Sequence, residues 1–412
     1  MIVLKGRVID GNGGEPIEKG AVVVEGDRIT AVCRQGEYPI PENAEVHEIE
    51  NGSILPGLID LHTHLAQGDD FMRIYTEHIY HAVLRAADNM KKILDCGFTS
   101  VRECGGLSNF LKAPWEEGLI DGPRICSAGK SLTQVAAGHH DFIGKFPVEF
   151  AELKHYIAEF VCGPDDVRRV VRMNFREGAD FVKIFLSSPG GTVGRKFEFQ
   201  ELSDVEVRTA VEEAENFGSY VAAHVHSSAP IKAALRCGVK SIEHGTMLDD
   251  EDIELMLKNG AWLVPTLATG YVSNRYYEEH QIPLSPALRE RHKMLDEHRI
   301  EALQKAHRAG VTIGCGCDFG GGERTPFGCN GLEIQLLSQL GGLSPMQAIL
   351  AATKTAAKII LRADELGTLE PGKLADIVMV SGDPLADISL LSDADNVKMV
   401  MQGGAIKKNL GC

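Results

Sequence analysis

Basic tracts are missing from this chain. Lys and Arg total 42 against 58 Asp and Glu, a formal net charge of −16, and no local cluster of cations offsets it. That balance disfavours nucleic acid or an anionic membrane surface as a partner. Long apolar runs are missing too, since no stretch reaches the length needed to span a bilayer. The first residues, Met1-Ile2-Val3-Leu4-Lys5-Gly6-Arg7, lack the basic leader, apolar core and small-residue cleavage site of a secretory signal. The ten cysteines follow no framework spacing, and Cys315 and Cys317 sit too close together for a Cys-x-x-Cys motif. Reduced thiols in a cytoplasmic protein are the expectation. What the chain does have is apolar material for a large core, 44% of 412 residues at a mean hydropathy of −0.08, in a length beyond one ordinary small domain.

The ends and the middle are patterned differently. Residues 2–9 and 20–33 read as short strands parted by the turn-rich Asp10-Gly11-Asn12-Gly13-Gly14. Further on, a phrase of helix, glycine and strand recurs: helix 75–95 ends at Cys96-Gly97, helix 165–177 at Gly178, helix 203–217 at Gly218 and helix 229–237 at Gly238, with further rounds at Gly260 and Gly310. Strand positions fall near 57–63, 98–101, 123–128, 180–186, 220–225, 239–243, 261–264 and 311–314. Eight such units are what a (β/α)8 barrel requires. After a helix over 345–361 the chain returns to turns and short strands. The expected architecture is therefore α/β: a (β/α)8 TIM barrel over 57–361, with a small β-sandwich domain built from both termini, 1–56 plus 362–412.

Chemistry-bearing side chains stand at the ends of those strands. His62 and His64, in Gly57-Leu58-Ile59-Asp60-Leu61-His62-Thr63-His64, lie two apart, so a strand projects both to one face, where two imidazoles can grip one metal ion. Lys183 lies inside the apolar Phe181-Val182-Lys183-Ile184-Phe185-Leu186. A buried cation there needs a reason: a stem that snorkels to the barrel mouth, a carboxylate partner, or an amine that has captured carbon dioxide as a carbamate able to bridge two metals. His224 and His226 follow in Ala223-His224-Val225-His226, His244 in Ile242-Glu243-His244-Gly245, and Asp318 after Gly314-Cys315-Gly316-Cys317. A lone strand-end histidine is more often packed than ligating, and an Asp before glycines is usually a turn residue. Four of these histidines, with a buried lysine and an aspartate on one barrel rim, together point to a metal site. Nitrogen and oxygen donors without thiolate suit zinc, and manganese, iron or cobalt could also occupy it.

These residues resemble the amidohydrolase superfamily over essentially the full chain. The flanks Leu55-Pro56-Gly57-Leu58-Ile59-Asp60 and Gly367-Thr368-Leu369-Glu370-Pro371-Gly372 share the likeness. The resemblance implies that His62, His64 and Asp318 hold one metal, His224 and His244 the other, and carboxylated Lys183 bridges the two. A bridging hydroxide would attack a carbonyl, with Asp318 as general base and then acid. Superfamily deaminases generally lack the lysine and carry a glutamate three residues after this histidine; here Lys183 is present and that position is Ser227, which argues against deamination.

The segments around His224, His244 and Val264-Pro265-Thr266-Leu267 look most like prolidases and related dipeptidases, close to imidazolonepropionases. This implies cleavage of dipeptides or N-acyl amino acids with a free C-terminal carboxylate, most of all Xaa-Pro; the alternative is a cyclic amide such as an imidazolone. A binding or scaffold protein on a decayed barrel is the remaining reading, which the intact ligand set opposes. For substrate contacts the candidates are His140, with its neighbour His139, on a long loop, His226 on the face of His224, and Tyr271, with Arg275 and Arg324 as carboxylate binders. The stretches from Gly129 to Pro164 and from Tyr271 to Pro286 are long enough to serve as lids. Length and resemblance imply a homo-oligomer.

Overall fold

The computed structural model describes residues 1–69, 73–135, 156–188 and 198–411. The chain opens with strands β1 (Ile2–Val8), β2 (Ile17–Glu25), β3 (Arg28–Arg34) and β4 (Glu45–Pro56). Ten short strands follow, interleaved with helices: β5 (Leu58–Thr63), β6 (Phe98–Glu103), β7 (Arg124–Ser127), β8 (Ser131–Gln134), β9 (Ala158–Val161), β10 (Val182–Phe185), β11 (Val221–Ser227), β12 (Ser241–Met247), β13 (Trp262–Val264) and β14 (Thr312–Ile313). The last are β15 (Ile377–Ser381), β16 (Val397–Gln402) and β17 (Ala405–Asn409).

Strands from both ends of the chain join in one seven-stranded sheet, ordered β17-β16-β15-β4-β1-β2-β3. Its β-branched residues explain why it forms where it does. Val22 and Val24 of β2 pack with Leu4, Ile54 and Met399 on one side, while Ala21 and Val23 pack with Val3 on the other, the two-residue alternation of a strand covered on both faces.

All eight expected strand positions carry strands. They run parallel to their neighbours in two sheets, β5-β6-β7 and β14-β13-β12-β11-β10-β8-β9. Backbone bonds lace β5 to the segment after β14: Leu61 N donates to Cys315 O at 2.8 Å and Asp318 N to His62 O at 2.7 Å. At the other seam Asp180 N donates to Ser127 O at 2.7 Å. The result is a parallel α/β arrangement consistent with a barrel-type domain, beside a β-rich domain. Helices end where glycine allows a left-handed residue, as at Gly310 (φ 88°) closing the helix Pro286–Ala309. Among the described residues no helix is long and apolar enough to cross a membrane.

Three elements differ from expectation. The helix expected over 345–361 is two, Pro345–Ala351 and Lys354–Ile359, because the carbonyls of Ala351 and Ala352 accept from Cys315 N and Ile59 N instead of continuing the helix. The Tyr271–Pro286 lid is mostly helix, Leu267–Glu279. The Gly129–Pro164 loop contains β8 and β9, paired in parallel; its residues 136–155 lie outside the described residues.

Candidate metal centre

Strand alternation sorts the side chains of β10, β11 and β12 into two rows. Val182, Ile184, Val221, Ala223, Val225 and Ile242 belong to the large core packed against helices. The opposite row carries Lys183, His224, His226 and Glu243, all buried, above an apolar layer that includes Phe181, Tyr220 and Ala222. His244 would by alternation share the row of Ile242. Its φ of 69° breaks the alternation and turns the imidazole back, 4.4 Å from the His224 ring and 5.1 Å from the His62 ring. Asp318 (φ 57°) and Thr266 (φ 54°) are left-handed as well. Such strain in non-glycine residues gathers at functional sites.

His62, His64 and Asp318 are brought together by backbone. His64 N donates to Phe319 O at 2.9 Å, and buried Asp60 accepts from His62 N at 3.0 Å, Cys317 N at 3.1 Å and Asn330 Nδ2 at 2.8 Å. Gly316 makes the approach possible, since a Cβ there would lie 2.9 Å from both N and Cβ of His62. Asp318 Oδ1 consequently stands 3.6 Å from His62 Nε2 and 3.4 Å from His64 Nε2, with donor atoms of all three within 4.8 Å of one another.

The donor chemistry fits divalent cations. Lys183 is 0% exposed, and among the described residues neither its Nζ nor His244 Nε2 has a hydrogen-bond partner. Full burial removes the snorkelling reading of Lys183, and no carboxylate among the described residues pairs with it, which leaves an amine with a reason still to be supplied. Burial, then the charge of Lys183, brings the His62 imidazole down to about 4. Burial with His224 and His226 as neighbours holds His244 well below the ordinary histidine range. Neutral imidazoles are the ligating form. Burial alone would lift the Asp318 carboxyl, but His62, His64 and Lys183 together draw it down to about 2.

Behind the imidazoles stand residues that sequence reading missed. His62 Nδ1 lies 2.7 Å from Glu243 Oε2, and both Glu243 oxygens accept from Arg102 Nη2 at 2.7 and 2.8 Å. His244 Nδ1 lies 2.7 Å from Thr266 Oγ1, and His226 Nδ1 lies 2.8 Å from Thr246 Oγ1. Arg102 and Glu243 gave the same signal as Lys183, a charge inside a buried strand. Thr266 gave none. Cys104 also gathers with His62 and Glu243; burial pushes its thiol up to about 12, and both Glu243 oxygens are already engaged by Arg102.

The substrate-contact candidates fare differently. His139 and His140 lie outside the described residues. His226 joins the cluster, its ring 4.7 Å from that of His224. Tyr271 and Arg275 line a cavity of about 360 Å³ on the helix Leu267–Glu279 that includes none of the six expected ligands. Arg275 Nε is bonded to Glu279 at 2.6 Å, and Arg324 Nη1 to Tyr277 OH at 3.1 Å.

The chain is similar to known proteins along most of its length. The family described as Amidohydrolase family matches residues 53–407. An ochratoxinase of Aspergillus niger is 31% identical, with 100% of this chain and 87% of that protein covered; its crystal structure superposes with a TM-score of 0.89 over 100% of this chain and 96% of that one. A prolidase solved with N-methylphosphonate-L-proline is 31% identical with a TM-score of 0.88, covering 99% of each chain. An imidazolonepropionase of Geobacillus kaustophilus is 24% identical, with 97% of this chain and 91% of that protein covered.

Proposed function

This chain belongs to the amidohydrolase family, a hydrolase acting on amide bonds, and we propose that it is a binuclear metal enzyme cleaving dipeptides or N-acyl amino acids that end in a free carboxylate, Xaa-Pro first among them. In this reading the parallel strands form a (β/α)8 barrel over residues 57–361, beside a composite β-sandwich domain of 1–56 plus 362–412. The rim would hold one cation through His62, His64 and Asp318 and the other through His224 and His244, with carboxylated Lys183 as a further oxygen donor. The observation that carries it is Lys183: a fully buried amine without a hydrogen-bond partner among the described residues, on the same inward row as the buried His224 and His226.

Divalent cations such as zinc, bound there, would supply Lewis acidity toward a carbonyl and would acidify water. The chain's own residues do the rest. Asp318, an ionised carboxylate 3.6 Å from His62 Nε2 and 3.4 Å from His64 Nε2, takes the proton of the attacking water and returns it to the leaving amine. His226, buried beside the ligands, and His140 meet the substrate carbonyl or carboxylate, and Tyr271 contributes from the helix Leu267–Glu279. The apolar layer beneath the site keeps bulk water from the far side.

The test is a dipeptide library offered to the zinc-loaded protein, with release of free amino acid as readout. Turnover of Xaa-Pro substrates supports the proposal; no release from any dipeptide or N-acyl amino acid sinks it. The likeness to an imidazolonepropionase keeps one other reading, hydrolysis of a cyclic amide, and opening of an imidazolone ring in place of dipeptide cleavage would select it.

A further inference from the structure

The two histidines that end up closest to the centre of the site are supported in different ways. Both oxygens of Glu243 already receive hydrogens: Oε1 from Arg102 Nη2 at 2.7 Å and Ser241 Oγ at 2.6 Å, Oε2 from Arg102 Nη2 at 2.8 Å. Arg102 is itself completely buried, and its Nε and Nη1 donate to Leu61 O at 2.6 Å and Ser241 Oγ at 3.0 Å. A carboxylate filled in this way can only accept, so the hydrogen in the 2.7 Å contact to His62 sits on Nδ1. Nε2 is then the lone-pair nitrogen, and it is the nitrogen that faces Asp318. His244 differs. Its Nδ1 meets the hydroxyl of Thr266, which can donate or accept and therefore leaves the tautomer of His244 open.

We infer that Glu243, clamped by Arg102 and Ser241, is the positioning residue that commits His62 Nε2 to its metal, and that it makes the His62/His64/Asp318 position the tighter of the two. The inference rests on the binuclear reading above and adds an order of affinity to it. Groups behind a metal-bound histidine typically change affinity by about 10- to 100-fold when removed. Losing Glu243 lowers the tighter affinity by that factor and leaves the other as it was, while losing Thr266 does the reverse with a smaller factor.

The experiment uses the full chain, stripped of metal and titrated with Zn2+ by equilibrium dialysis, with imidazole 15N NMR as an independent readout of tautomer. Wild type binds two Zn2+ in separable steps, with one strongly hydrogen-bonded Nδ1–H signal. In Glu243→Gln the tighter step weakens about 10- to 100-fold and that signal moves, while Thr266→Val weakens only the second step. Equal weakening of both steps in Glu243→Gln, or none, overturns the inference. If that variant does not fold, Ser241→Ala, which removes one donor and keeps the ion pair, must weaken the tighter step by a smaller factor; an unchanged tighter step overturns it instead. A wild type that binds fewer than two Zn2+ brings down the binuclear reading itself, a result distinguishable from the others.

Discussion

Glu243 and Glu333 are both completely buried, and each stands behind one histidine of the proposed metal centre. Glu243 touches His62 directly. Glu333 accepts from Leu267 N at 3.1 Å and Ala268 N at 2.7 Å, at the helix start that follows Thr266, the partner of His244. Burial acts on both in the same sense, yet they end in opposite states. Arg102 and His62 overcome burial and hold Glu243 well below the usual carboxylate range, whereas burial, helped by the charge of Asp60, pushes Glu333 up to about 8 against two backbone N–H groups and the Arg299 guanidinium. Counter-charge, not depth, decides whether a buried carboxylate stays ionised. The His62 side of the site is therefore electrostatically fixed, while the His244 side rests on a hydroxyl and on a carboxyl that titrates near neutrality.

The harshest way to break this comparison is to remove what both sides share. Lys183→Ala should abolish amide hydrolysis and leave the zinc-loaded protein short of two equivalents by metal analysis; full activity in that variant would remove the carbamate from the proposal. Asp318→Asn should lower kcat by about 10²- to 10⁴-fold, the usual worth of a general acid–base group, measured by amino-acid release. A smaller, one-sided effect is expected from Gly316→Ala, whose Cβ meets the backbone of His62 at 2.9 Å and Val264 Cγ1 at 2.6 Å. Overpacking of this kind costs about 1–3 kcal/mol, to be read from urea unfolding, and Zn2+ binding should weaken at the His62 position alone. An unchanged unfolding midpoint would contradict the close approach.

The subtlest effect belongs to Glu333. Its carboxyl is raised in the folded state, so the native protein holds more protons than the unfolded chain. The stability this contributes is complete below about 4.5 and is lost as pH rises through about 8. Thermal unfolding of Glu333→Gln and of the parent should consequently diverge across that window, the variant gaining on the parent as pH climbs. Parallel curves would show that Glu333 ionises like a solvated glutamate, and the contrast with Glu243 would collapse.

The residues that announced the site in the sequence were those at odds with their surroundings: an ammonium in an apolar strand, imidazoles at strand ends, an aspartate before glycines. Six of the eight strand positions were legible from glycine after a helix and apolar, often β-branched, residues after the glycine; the other two, near 57–63 and 123–128, carried no such signal. Arg102 and Glu243 met that criterion equally well and were passed over because they carry no ligand role of their own. Thr266 was illegible, since an ordinary threonine after a proline gives no hint of a left-handed backbone or of the histidine it meets. The rest turns on partners distant in sequence. The break at Thr353 depends on Ile59 and Cys315 claiming two carbonyls, and β8 and β9, four residues each, exist through their pairing and not through any pattern of their own. Tyr271–Glu279 shows no clear apolar period, so only its packing makes it a helix.

Strand β4 runs into β5 with Gly57 alone between them, and that glycine donates its N–H to Asp376 O at 2.8 Å while β15 pairs with β4 from Gly52 to Pro56. The strand that delivers His62 is thus moored by residues more than 300 positions downstream. For a chain emerging from the ribosome this sets a schedule. The edge of β4 stays open until β15 has been made, and contacts of such separation close slowly. Alignment of His62 is accordingly a late event of biosynthesis, and a polypeptide stopped short of Ile377 carries every expected ligand without the mooring that aligns the first of them.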